Sequence, residues 1–262
     1  MQTQYHRPAS VAEAAKLLAG DARLLAGGQS LVAAMKLGLA SPSALVDLRG
    51  IAGLDGIRVD GPRVSIGAMA NHASVAASRE VARAIPALAQ LAAGIGDRQV
   101  RDMGTIGGAL ANNDPAADYP AAVLGLGATI QTDQRQIAAD DFFVGLYETA
   151  LRPGEIITAV HFPVPERAAY EKFRQPASRF SIVGVMVAKT GGGVRVAVTG
   201  AGSCAFRCKP LEAALTSKFA PESCDGVTVP ASGLNDDLHG SAQYRAHLIP
   251  VLAKRAVARA LG

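Results

Sequence analysis

Residues 24–51, LLAGGQSLVAAMKLGLASPSALVDLRGI, carry the reading of the fold. Arg23-Leu24-Leu25-Ala26 is a short apolar run cut by Gly27-Gly28, and Ser30 stands where it can cap a helix over Leu31 to Leu37. The pattern is strand, tight turn, helix start. Upstream, Ser10 and Glu13 form a capping box, after which Ala14, Ala15, Leu17 and Leu18 line one helix face until Gly20 stops it. Downstream, Ala44 to Leu48 and Arg63 to Ala68 read as strands, while His72 to Ala77 and Arg79 to Ala93 read as helices, the second interrupted at Pro86. Strands and helices mix from the outset, which places the chain in the α+β or α/β class.

A second glycine-rich stretch follows at 96–122, GDRQVRDMGTIGGALANNDPAADYPAA. Its part from Thr105 to Asp118 is so rich in Gly, Asn, Asp and Pro that a buried loop is expected there. Ala121 to Thr132 and Glu155 to Phe162 read as strands, and Pro163-Val164-Pro165 marks a domain boundary. Beyond it, Ser181 to Lys189 and Val194 to Thr199 read as a hairpin joined through Gly191 to Gly193. Leu211 to Ser217 and Ser241 to Leu261 read as helices, with Pro250 expected to kink or split the last one. The apolar residues around that proline, Leu248, Ile249, Val251 and Leu252, suit either the core or a docking face.

A length of 262 residues allows two modest domains, and 49% hydrophobic with 18% charged residues excludes disorder and a coiled coil. The net charge of +4 comes from 26 basic and 22 acidic side chains scattered without a basic run, so nucleic acid is not an expected partner. No uncharged stretch reaches the roughly 18 residues of a membrane span. The opening MQTQYHRPAS lacks a secretory pattern, and a cytoplasmic location is expected. Cys204, Cys208 and Cys224 have no clustered histidines beside them, so they read as partly buried thiols and no metal site is expected.

Paired glycines let backbone N–H groups approach an anion without a Cβ in the way, and successive N–H groups form a concave nest for phosphate oxygens. Ala26-Gly27-Gly28-Gln29-Ser30 and Thr105-Ile106-Gly107-Gly108-Ala109 both have this form, each with a hydroxyl beside it. Two nests would suit the two phosphates of a dinucleotide. The chain has no G-x-x-x-x-G-K-S/T loop, no Rossmann G-x-G-x-x-G spacing at the first turn and no G-x-S-x-G elbow. Asp114 and Asp118 read as one turn-forming residue and one ligand-facing acceptor. No catalytic acid, base or nucleophile is assigned.

Both turns with their surroundings resemble the FAD-binding medium subunit of the molybdenum hydroxylases, the xanthine dehydrogenase family, and most of all its aerobic carbon monoxide dehydrogenase type. The resemblance extends through YHRPASVAEAAKLLAG at 5–20, ETALRPGEII at 148–157, YEKFRQPASRFSIVGV at 170–185 and HGSAQYRAHL at 239–248, nearly the whole chain. It implies an α+β protein with a two-part FAD-binding domain of the PCMH (vanillyl-alcohol oxidase-like) type over 1–165, its subdomains covering about 1–55 and 56–165. A smaller α+β C-terminal domain over 166–262 would follow.

The resemblance further implies noncovalent FAD. Leu25, Ala26, Gly27, Gly28, Gln29, Ser30 and Leu31 would face the pyrophosphate, and Thr105, Ile106, Gly107, Gly108 and Ala109 would close over it. Asp118 would accept hydrogen bonds from polyol or sugar hydroxyls, Ile95 and Ile157 would supply apolar contacts, and Lys172 the basic one, with Arg174 aligned almost as well. Electrons would reach the flavin from 2Fe–2S clusters in a small subunit and leave to an external acceptor, the substrate being oxidised at molybdopterin in a large subunit. A dimer of heterotrimers is implied. Three cysteines are too few for one four-thiolate cluster, which agrees with clusters carried by a partner. Gly38 stands where close relatives carry arginine. The alternatives are a free-standing FAD-dependent oxidase and a non-enzymatic scaffold that has lost the cofactor.

Overall fold

The structure is a computed structural model that describes residues 3–262. Its first part contains β1 (Gln4–His6), α1 (Val11–Leu17), β2 (Arg23–Leu25), α2 (Leu31–Lys36) and β3 (Ala44–Asp47). These strands form a parallel sheet in the order β1-β3-β2. Ser10 caps α1 as the sequence implies, its Oγ accepting from the Glu13 amide at 3.1 Å, while Glu13 Oε2 reaches one residue past the cap and accepts from the Ala9 amide at 2.8 Å. Asp47 anchors this sheet. Its buried carboxylate accepts from the guanidinium and amide of Arg49 and from the Tyr5 hydroxyl, which ties β3 to β1.

The second part contains β4 (Ile57–Asp60), β5 (Arg63–Gly67), α3 (His72–Ala77), α4 (Arg79–Ala84), α5 (Pro86–Ala93), α6 (Arg98–Met103), α7 (Ile106–Asn112) and α8 (Tyr119–Gly125), then β6 (Thr129–Thr132), β7 (Gln136–Ala138), β8 (Phe143–Gly145), β9 (Glu148–Thr149) and β10 (Ile157–Pro163). An antiparallel sheet of order β4-β5-β10-β6-β7 backs the helices. Pro86 separates α4 from α5 by occupying the first helical position, where its missing N–H has no partner to lose.

Two expectations fail here. Residues 105–118 are not one loop: Thr105 caps α7 by accepting from the Gly108 amide, and Asn113, left-handed at φ 43°, ends it. Nor do residues 121–132 form one strand, because 119–125 are helical, with Pro120 in the first turn, and only Thr129–Thr132 extend. An apolar run without polar punctuation shows no period, so helix and strand look alike in it. All seven residues of α8 are buried, which explains the missing polar face.

The third part is an antiparallel meander of β11 (Arg167–Arg174), β12 (Ser181–Thr190), β13 (Gly193–Thr199) and β14 (Phe206–Arg207), followed by α9 (Lys209–Ser217) and α10 (Ala242–Leu261). The expected hairpin is the β12–β13 pair, turning at Gly193 with φ 115°. On one side the sheet packs against α9 and α10 through Val183, Val185, Val187, Val196, Val198, Ile249 and Leu252. On the other, Tyr170, Met186 and Ala197 join the core of the second part. Covered on both faces, β12 reads as a continuous run, SIVGVMVA, instead of an alternation. One helix runs through Pro250 without splitting, and Ile249 and Leu252 are buried, so the core reading of that face holds over the docking one.

Helix α8 is the element on which the second and third parts meet. Gly125 lies so close to β12 that an added Cβ would stand 2.6 Å from Met186 Cγ. Beyond it, Arg195 donates to the Leu124 carbonyl at 2.8 Å and to Asp140 at 2.8 Å. No helix among the described residues is long and apolar enough to cross a membrane.

Asp47 supplies a pH test. Burial raises its pKa, but the donors from Arg49 and Tyr5 outweigh this and hold it at about 2, below the ordinary 3.8. A depressed folded-state value means the stabilisation is full above about pH 4 and disappears as pH falls through about 2. With Arg49 half-exposed, screening leaves roughly 1–2 kcal/mol of it. Asp47→Asn is expected to lose that amount in urea melts at neutral pH and to differ little from the parent near pH 2; equal losses at both would show that the ion pair is not the cause.

Candidate functional site

Strand β2 delivers the chain into the first glycine turn. Gly27 lies against the backbone at the end of α6, where an added Cβ would stand 2.1 Å from the Met103 carbonyl oxygen. A Cβ on Gly108 would come 3.5 Å from Ala26 Cβ. The two glycine motifs, far apart in sequence, are thus in contact. Gly28 has φ +71°, a left-handed conformation that suits glycine.

Their backbones are used differently. Among the described residues, the successive N–H groups of Gly27, Gly28, Gln29, Ser30 and Leu31 find no protein acceptor. Ser30 sits at the start of α2 without making a capping hydrogen bond, so its hydroxyl is also unengaged. In the second turn, Ile106 donates to Ala70 O at 3.1 Å, Gly107 to Ala68 O at 2.8 Å, Gly108 to Thr105 Oγ1 at 3.1 Å and Ala109 to Thr105 O at 3.0 Å. Those four N–H groups are engaged within the protein. The pair of nests expected from sequence becomes one turn that presents donors and one that braces it. Gly107 is needed for packing: an added Cβ would lie 2.6 Å from Ala68 Cβ and 2.7 Å from Ala68 O.

Asp118 opens α8 and is buried. Lys172 Nζ lies 3.0 Å from each of its oxygens and donates further to Gly94 O and Arg179 O, both at 3.0 Å. The hydroxyls of Tyr170 and Ser181 donate to Asp118 Oδ1 at 2.5 and 2.9 Å. Burial pushes the Asp118 pKa up, opposed first by the Lys172 ammonium and then by the hydrogen bonds to the carboxylate. Burial likewise pushes the Tyr170 phenol well above its ordinary value, reinforced by the Asp118 charge. Both residues are buried.

Lys172 also connects this cluster to Ile95, since Gly94, Ile95 and Gly96 form one short segment whose carbonyls accept from Lys172, Arg101 and Arg179. Ile95 is half-buried there, whereas Ile157 is buried at the start of β10. Arg174, at the register irregularity of β11, is exposed and makes no side-chain hydrogen bond among the described residues. Of the two basic candidates, only Lys172 turns inward. Asp114 forms the expected turn by accepting from the Ala116 amide at 2.8 Å.

Next to the second turn, His72 is buried beneath Gly104 and meets Tyr119 in a tilted ring contact, with centroids 5.3 Å apart. Burial and then the Arg101 charge lower its pKa to about 4, so it is neutral at neutral pH. Cys208 and Cys224 are buried and Cys204 is half-buried, all three as free thiols. Tyr170, Ser181 and Arg195 were not singled out from sequence. One signal for the first was present: Gly184 interrupts an otherwise bulky strand, and a Cβ there would stand 2.2 Å from the Tyr170 hydroxyl.

Free donors on a turn between two α+β subdomains, with a further domain behind them, are the working parts of flavoproteins of the PCMH type. The comparisons narrow this class. Residues 1–165 match the family described as FAD binding domain in molybdopterin dehydrogenase. The chain is 38% identical to the carbon monoxide dehydrogenase medium chain of Afipia carboxidovorans, over 98% of this chain and 96% of that one. It is 35% identical to the nicotine 6-hydroxylase medium subunit of Paenarthrobacter nicotinovorans, again over 98% and 96%. Among solved structures, Cu,Mo-CO dehydrogenase in its cyanide-inactivated form superposes with a TM-score of 0.90 at 36% identity, over 99% of this chain and 98% of the other. The chain belongs to the FAD-binding family of the molybdopterin dehydrogenases and is an FAD-binding, electron-transfer subunit of a molybdenum hydroxylase.

The unequal turns make a stability prediction. Gly107→Ala should lower the unfolding free energy by about 1–3 kcal/mol through overpacking against Ala68. Ser30→Ala, removing a hydroxyl without a partner, should stay within about 0.5 kcal/mol of the parent. Urea melts of the cofactor-free chain compare the two; a larger loss from Ser30→Ala would reverse the assignment of the turns.

Proposed function

We propose that this chain holds one noncovalent FAD between its first two parts and works in a carbon monoxide dehydrogenase-like complex. The supporting observation is the run of unengaged N–H groups at residues 27–31, joined by the unengaged Ser30 hydroxyl. Such a concave row of donors suits a pyrophosphate, and the residues present therefore fit the cofactor that the family implies. In the second turn the N–H groups of Ile106 to Ala109 are engaged within the protein, and Gly108 of that turn packs against Ala26 of the first.

When bound, FAD supplies the redox chemistry that carries electrons from a partner's iron–sulfur centre to an external acceptor. The chain's own residues bind and orient. Gly28 and Ser30 face the phosphates, Asp118 accepts from hydroxyls of the polyol or sugar, and Lys172 holds Asp118 and the Gly94–Gly96 segment together. Ile95 borders the cofactor from that segment, and Ile157 supports the site from within β10. No side chain here is assigned to proton transfer from a substrate.

The relatives named above act in assemblies whose names specify carbon monoxide and nicotine. Substrate choice on this reading belongs to a large molybdopterin subunit, and the 2Fe–2S clusters to a small one. The assembly is read as a dimer of heterotrimers in the cytoplasm.

Titration of the purified chain with FAD should end at one flavin per chain, released intact by denaturation, as flavin fluorescence reports. The loaded chain should oxidise neither CO nor an N-heterocycle until iron–sulfur and molybdopterin subunits are added. Turnover by the chain alone would instead establish a free-standing oxidase; failure to bind FAD at all would defeat the reading.

A further inference from the structure

All the side chains that hold Asp118 come from the third part of the chain: Tyr170 and Lys172 from β11, and Ser181 from the start of β12. The Tyr170 and Ser181 hydroxyls converge on one carboxylate oxygen and lie 3.0 Å from each other, closing a small ring of polar atoms inside the protein. This leaves the carboxylate little freedom to rotate.

The place of the phenol is built into the sheet. Lys172 pairs with Gly184 in the β11–β12 register, and only the absence of a Cβ at Gly184 leaves room for the Tyr170 hydroxyl, which would otherwise be 2.2 Å from it. Removing the hydroxyl would leave Asp118 held by a flexible lysine and one serine. Lys172 also holds Gly94 O, so a carboxylate free to turn would loosen the segment that carries Ile95.

We propose that Tyr170 is a positioning residue of the flavin site: with Ser181 it fixes the orientation of the Asp118 carboxylate and so couples FAD affinity to the seating of the C-terminal domain. This rests on the reading of Asp118 and Lys172 as flavin contacts. Tyr170 itself is buried behind the carboxylate and acts through it.

The test uses the full chain, FAD as the probe, and the variants Tyr170→Phe, Asp118→Asn and their combination. Flavin fluorescence titration gives the dissociation constants, the visible spectrum of the bound flavin reports its surroundings, and melts of the cofactor-free proteins report folding. Tyr170→Phe should weaken FAD binding about tenfold, the scale of one hydrogen bond to a charged group, and alter the bound spectrum. In the Asp118→Asn background the same change should have little further effect, because the two act as one unit. Parent-like affinity of Tyr170→Phe, or penalties that multiply independently, would overturn the proposal and leave Tyr170 a packing residue.

Should Tyr170→Phe fail to fold, Ser181→Ala decides. It should weaken binding severalfold in the parent and have little effect beside Asp118→Asn; full affinity in the parent would equally overturn the proposal. A parent chain that binds no FAD would strike at the proposed function itself, a result distinct from either outcome.

Discussion

A carboxylate withdrawn from water at one end of a wholly buried helix is the constraint around which this molecule is arranged. Asp118 cannot be left alone there, since an unpaired buried charge costs several kcal/mol. The third part supplies its partners, Tyr170, Lys172 and Ser181. At the other end of α8, the Leu124 carbonyl accepts from Arg195, again from the third part. Five buried residues, Tyr119 to Val123, lie between the two attachments. Polar groups at both ends and apolar packing along the length make the domain boundary in the chain a continuous interior in space, with Tyr170, Met186 and Ala197 belonging to the same core as Leu88 and Ile106.

That interior gives the glycine turns their division of labour. The second turn is anchored to Ala68 and Ala70, hence to the segment that follows β5, and its α7 helix leads through Asn113 and Asp114 to Asp118. The first turn touches it through Ala26 and rests through Gly27 on the end of α6, but keeps its own donors free. A rigid support and a receptive surface thus come from two different parts of the chain. Cofactor sites need both, because donors arranged in advance lose less entropy when a ligand arrives.

How much of this could be read from residues alone varies with the range of the interactions. The Ser10 cap of α1, the break at Pro86 and the β12–β13 hairpin are local, and their sequence signals match the structure. The likeness of the two glycine stretches to a flavoprotein family also proved sound. Helix α8 was misread because its sequence had no polar face to reveal a period, and α7 because its glycines pointed to a loop while their packing against Ala68 was invisible. The difference in how the two turns use their N–H groups is hidden for a related reason: the Ile106 and Gly107 amides are taken by Ala70 and Ala68, more than thirty positions away. The DPAAD stretch draws attention to Asp118 in the sequence, but its partners Tyr170 and Ser181 are set by the sheet register.

Protein synthesis runs from the first part to the last, and the geometry of Asp118 imposes an order on maturation. Both glycine turns and α8 emerge from the ribosome before β11 and β12 exist, and these strands are themselves uncovered on one face until α10 has been made. Until then the carboxylate retains water where three side chains will later stand. Domains generally fold as units during synthesis, N-terminal first. Here the earlier unit is left with an unfinished wall around Asp118, which closes only when β11 and β12 have been added.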